Sequence, residues 1–169
     1  MSQFIITAVG PDRPGIVGEL TGHLHSGGGN ILDSRMVNLR GEFAMLILVE
    51  TFDEGLRQSL PGIGEKMGLR LAVSELHGNP RVRGLPFRLK TYSMDQPGIV
   101  AKLTQALRLH GVNIEELSAR QESAPFDGSP LFLTEMRLTV PATVSLGKLR
   151  AELESVGNSL NCDIDLDPA

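Results

Sequence analysis

Along this chain the apolar positions alternate between two spacings, one of β type and one of helical type. Residues 3–9, "QFIITAV", and 87–92, "FRLKTY", are short β-type runs. After each comes a helical stripe: Ile16, Val17, Leu20 and Leu24 in the first case, Ile99, Val100, Leu103 and Leu107 in the second. That i, i+1, i+4, i+8 spacing gives one apolar face to lie on a sheet. Gly-rich turns, "SGGGN" and "HGVN", then lead into extended segments that start at Asn30 and Asn113. Residues 43–50 ("FAMLILVE") and 131–140 ("LFLTEMRLTV") read as strands. A second helical stripe follows, at Leu56, Leu60, Ile63 and Met67, and again at Leu146, Leu149, Leu153, Val156 and Leu160. Pro61-Gly62 interrupts the first of these and predicts a kink or a restart. Alternating strands close the two halves, with Leu69, Leu71 and Val73, then Cys162, Ile164 and Leu166.

The two halves are copies. Residues 4–31 align with 87–114 at a displacement of 83, with twelve identities in 28 positions, where chance supplies roughly two. The order strand-helix-strand-strand-helix-strand, read twice, predicts an α+β chain of two tandem ferredoxin-like βαββαβ units. Each is expected to be a four-stranded antiparallel sheet with helices on one face. The first unit should span 1–78, a linker 79–85 and the second unit 86–169, with the seam in "HGNPRVRGLP", residues 77–86. One strand exceeds what a sheet covered on one side needs: residues 43–49 are apolar at every position, which predicts an outer face packed on the other unit or on a second copy of the chain.

Composition narrows the function classes. Of 169 residues 41% are hydrophobic and 21% charged, suited to a folded globular chain. The net charge of −4, with no Lys/Arg cluster, argues against direct nucleic-acid binding. A single cysteine cannot form an internal disulfide, and no signal peptide or membrane-length apolar run is evident. A cytoplasmic protein with no membrane association is expected.

Chemistry concentrates at "DRPGIV" (12–17) and "DQPGIV" (95–100), each at a strand-to-helix corner. Pro suits a first helical turn, and an Asp before it is expected to accept from the orphaned amides. Gly15 and Gly98 leave the helix start uncrowded, so a ligand carboxylate could sit on the N–H groups of Gly, Ile and Val. A well-capped turn with no ligand reads the same way. Asn30 and Asn113 carry an amide that could meet a zwitterion from a neighbouring unit, or could serve only their own turn. Other candidates are weaker. His23 and His25 do not share a helical face, and His77 and His110 stand alone. Cys162 falls on the apolar phase of its strand, and the acids at 152, 154, 163, 165 and 167 fit no calcium loop. With no nucleophile, base and orienting group in view, no enzyme activity, cofactor or metal is expected.

At the duplicated corners the chain resembles the ACT domain, a small amino-acid-sensing module, across nearly its whole length. More narrowly, "ITAVGPDRPGIV" with "NILDSR", and "NIEELSAR" with "APFDGSPLFLTEMRLTVPA", are similar to the glycine cleavage system transcriptional repressor family. The resemblance implies a small amino acid, glycine first and serine next, bound near the turns at domain interfaces. By position it points to Asp12, Pro14, Gly15, Ile16 and Val17 with Asn30 and Ile31, and to Asp95, Pro97, Gly98, Ile99 and Val100 with Asn113 and Ile114. It also implies a DNA-binding regulator protein as partner, since the acidic chain has no DNA-reading element of its own, and a homodimer is expected. The alternative is a ligand-free assembly module docking onto a metabolic enzyme; an acylphosphatase-like enzyme is a third reading. If the two copies are unequal, Arg13 against Gln96 is the one difference inside the motif.

Overall fold

The computed structural model describes residues 2–76, 83–123 and 129–169, which divide into two compact units, Met1–Asn79 and Pro80–Ala169. The first unit runs β1 (Ser2–Pro11), α1 (Ile16–Ser26), β2 (Gly29–Leu39), β3 (Glu42–Thr51), α2 (Glu54–Met67) and β4 (Arg70–Glu75). The sheet order is β2-β3-β1-β4, antiparallel throughout. One face of β1 and β3 carries Phe4, Ile6, Ala8, Phe43, Met45, Ile47 and Val49 into the core. Leu20 and Leu24 of α1 and Leu56 and Leu60 of α2 pack on them and are buried to 2% or less. Each such side chain contributes on the order of 1.5–3 kcal/mol through its removal from water.

The second unit repeats the plan: β5 (Gly84–Met94), α3 (Ile99–Leu109), β6 (Asn113–Ser123), β7 (Pro130–Pro141), α4 (Leu146–Leu160) and β8 (Cys162–Pro168), in sheet order β6-β7-β5-β8. The copy extends to irregularities. A register shift between Ile31 and Asp33 recurs between Ile114 and Glu116, again displaced by 83 residues. Both units are thus α+β sheets with helices on one side.

Helix α2 is continuous through Pro61, so no restart occurs there. Its buried stripe of Leu56, Leu60, Gly64 and Met67 holds both halves of the helix against one sheet, so loss of the Pro61 N–H does not end it. The "SGGGN" turn is not slack: a Cβ on Gly27 or Gly29 would lie 2.6 or 2.8 Å from the Leu56 side chain. Those glycines let the turn close onto α2. Strand β5 begins at Gly84, two residues ahead of the start expected for the second unit, and residues 77–82 of the seam, His77 included, lie outside the described residues.

Candidate functional site

In both units the strand-to-helix corner is a tight turn with a positive-φ glycine. In the first, the Ile16 N–H donates to the Arg13 carbonyl at 3.2 Å, and Gly15 at φ 85°, ψ −5° takes the third position. That is a type II turn, with Pro14 at the second position and a left-handed residue at the third. Gly98 adopts φ 94°, ψ −1° behind Pro97 in the second unit. Space does not require these glycines, because a Cβ at either would have nothing within 4 Å; the backbone conformation does. Pro14 and Pro97 therefore precede the helix instead of starting it.

Gly15 and Gly98 are themselves the helix caps. Their carbonyls accept the first intrahelical bonds, from Glu19 N–H at 2.9 Å and Lys102 N–H at 3.0 Å. Neither helix has a side-chain cap. The first-turn amides of Val17 and Gly18, and of Val100 and Ala101, consequently have no carbonyl within their helix to bond. Ile16 and Ile99 belong to the core, at 2% and 1% exposure, and the Ile16 amide is taken by the turn. Pro14, Gly15, Pro97 and Gly98 are exposed, and Val17 and Val100 half-buried.

Asp12 and Asp95 do not cap the helices. The Asn38 side-chain amide donates to the Asp12 carboxylate, Asp12 N–H donates to the Gly41 carbonyl at 2.8 Å, and Gly41 N–H donates to Asn38 Oδ1 at 3.3 Å. This ring ties the turn to the β2–β3 hairpin, whose tip, Arg40 and Gly41, has both φ angles positive. In the second unit Gln121 Nε2 donates to Asp95 Oδ2 at 2.8 Å, and Asp95 N–H donates to the Pro130 carbonyl at 3.1 Å. Asn38 and Gln121 are 83 residues apart, so the repeat offset was the signal that could have found them.

Asn30 and Asn113 lie elsewhere. Asn30 pairs with Glu50 on β3, whereas the turn follows Pro11, which pairs with Glu42. Asn113 and the second turn are separated in the same way, Asn113 opposite Thr139 and Met94 opposite Leu131. Eight residues of strand correspond to roughly 26 Å. Within a unit, then, Asn30 with half-buried Ile31, and Asn113 with half-buried Ile114, occupy the sheet end opposite the turn. Asn113 Nδ2 donates to Glu115 Oε1 at 2.6 Å.

The electrostatics of the two corners differ. Arg13 bonds Glu19 at 2.5 Å across the first turn of α1, so its charge is locally balanced. At the position equivalent to Glu19 the second unit has Lys102, and the first turn of α3 carries no acid. Gln96 turns away and donates to the Leu160 carbonyl at the end of α4. The second corner is therefore less negative than the first, opposite to what Arg13 alone suggests.

The inward side of β5 also diverges. Thr91, Ser93 and Thr134 are buried, and the Thr91 and Ser93 hydroxyls lie against the Cys162 thiol. Burial pushes the Cys162 thiol up, with the Thr91 and Ser93 hydroxyls opposing. The first unit has Ala8, Gly10, Met45 and Leu69 at these places. Among the described residues no three His, Cys, Asp or Glu side chains form a metal-sized group, and no helix is long and apolar enough to cross a membrane.

The ACT domain family model matches residues 2–74. The glycine cleavage system transcriptional repressor of Escherichia coli (strain K12) is 27% identical over 164 residues, covering 93% of this chain and 85% of that protein. A UPF0237 protein of Methanococcus maripaludis is 35% identical over 79 residues, 43% of this chain and 87% of its own length. Among solved structures, an unknown protein from Galdieria sulphuraria superposes with a TM-score of 0.87 at 27% identity, over 99% of this chain and 98% of that one. A protein provisionally assigned as a glycine cleavage system transcriptional repressor gives 0.68 at 25% identity, over 98% and 96%.

Proposed function

The chain belongs to the ACT domain family, and from that premise we propose that it is a non-enzymatic sensor of a small amino acid. The observation that carries this reading is the pair of glycine-capped turns, whose first-turn amides have neither a side-chain cap nor an intrahelical acceptor. A ligand carboxylate on Val17 and Gly18, or on Val100 and Ala101, would complete their hydrogen bonding and meet the positive helix end. Asp12 and Asp95, held by their amide partners, would keep the turn in shape. Asn30 and Asn113 stand at the sheet end away from their own turns, so the ammonium group is not met by either of them within the same unit.

Glycine and serine are the proposed effectors, supported by similarity to the repressor of glycine cleavage. The same similarity, with the net charge of −4, supports a cytoplasmic chain that acts on a DNA-binding regulator protein and makes no DNA contact itself. Effector and partner affinities must then be coupled reciprocally.

Calorimetric titration with glycine and serine tests the reading, and saturable binding is expected. The second corner should be the tighter seat, so Lys102→Glu weakens binding while Glu19→Lys does not. Absence of binding at millimolar amino acid would remove the sensor reading.

A further inference from the structure

The two units share a backbone plan, but their uncovered sheet faces are chemically unlike. In the first unit the register sets Asp33, Leu48, Ile5 and Ser74 in one row across the outer face. The next rows are Arg35, Leu46, Thr7 and Ala72, then Val37, Ala44, Val9 and Arg70. An apolar stripe therefore runs down β3 and β1, while the charged members sit on the edge strands. Leu46 and Val37 are each 52% exposed. A shallow apolar hollow of about 220 Å³ opens here between Ile5, Leu46, Leu48 and Leu76, beside Asp33 and Arg35. Apolar centre and polar rim are the anatomy of an interface.

The equivalent rows of the second unit are Glu116, Arg137, Arg88 and Asp167, then Ser118, Glu135, Lys90 and Asp165. Arg137 bonds Glu116 at 2.9 Å, and Arg88 bonds Glu135 at 3.4 Å. Ile5 has become Arg88, Leu48 Arg137 and Leu46 Glu135. These pairs lie over the central strands, where the first unit is apolar. In these two rows the face offers no apolar complement to the stripe of the first unit; the third row, Arg120, Leu133, Tyr92 and Asp163, is apolar only at its centre.

We propose that the outer sheet face of the first unit is the surface on which two copies of this chain associate, first unit against first unit. A second copy supplies the apolar complement, and the charges match as well. Asp33 and Arg35 lie two residues apart on one edge, bonded to each other at 2.5 Å. About a two-fold axis, each Asp33 can be set against the partner copy's Arg35, leaving no net charge between the faces. This surface is independent of the effector reading, since it involves neither turn.

Sedimentation equilibrium of the full chain tests the proposal. The wild type is expected to be a dimer, and Leu46→Glu to weaken it at least about thirty-fold. Tyr92→Glu, on the outer face of the second unit, should leave the dimer intact. Circular dichroism and a thermal melt check that each variant is folded. If Leu46→Glu does not fold, the charge exchange decides: Asp33→Arg alone weakens the dimer, and Asp33→Arg with Arg35→Asp restores it. A wild type that stays monomeric up to millimolar concentration overturns the proposal. So does a dimer that ignores Leu46→Glu, one that Tyr92→Glu breaks instead, or a charge exchange that fails to restore. None of these outcomes bears on amino-acid binding, which the titration reads separately.

Discussion

Gly15 and Gly98 show how much a single residue decides in this molecule. Each holds a left-handed backbone at the third position of a type II turn, and each doubles as the cap of the following helix. A side chain there would meet no neighbour, so Gly→Ala costs only the backbone conformation, about 1–2 kcal/mol. Gly15→Ala and Gly98→Ala should each lower unfolding free energy by that amount in urea titrations, with an unchanged dependence on urea. If the turn is the effector seat, both also weaken glycine binding by more than the stability loss alone predicts. The neighbouring Asp residues carry the complementary lesson. Their type and spacing announce a helix cap, but the carboxylates are taken by Asn38 and Gln121 from across the sheet. The Arg13–Glu19 pair is exposed and contributes little to stability, roughly 0.2–1 kcal/mol, yet it removes the charge difference that Arg13 suggests.

At the scale of elements, amphipathic spacing is decisive where an element buries one face. Among the described residues the four helices and six of the eight strands follow from it in order, whereas the mostly exposed β2 and β6 are legible only as extended segments after the Gly-rich turns. Local propensity loses where it conflicts with that burial, as at Pro61. Its ring removes one backbone bond inside α2, while Leu56 and Leu60 on one side and Gly64 and Met67 on the other hold the helix down. Pro61 is exposed, so Pro61→Ala restores the N–H and the helix propensity without disturbing the core. It should raise the melting temperature, by an energy on the order of 1–3 kcal/mol. A lower melting temperature would mean that the Pro61 ring is part of the native packing.

At the scale of the whole molecule, each unit holds its own core, and the two cores share no residue. Separately produced fragments 1–79 and 80–169 are therefore expected to fold, each with a cooperative calorimetric transition. Two molten halves would show that the cores need each other. The copies share their folding instructions but differ at their surfaces. One outer face is apolar along its central strands and the other carries ion pairs there; one first turn carries Glu19 and the other Lys102. Duplication followed by divergence of exposed positions is compatible with one fold because outward residues leave the core packing untouched.

The sequence by itself determined the duplication, the order of the elements, the core stripes and the position of the two turns. All of these are written in local periodicity and in the 83-residue repeat, which need no knowledge of what lies across the sheet. Tertiary structure alone decided that Asp12 bonds Asn38, that Asn30 stands at the sheet end away from its own turn, and that the alternate residues of β3 form one apolar outer face with those of β1. Those facts depend on strand order and register, which are set by long-range pairing. A residue's neighbours along the chain carry no record of which residue will face it from the next strand.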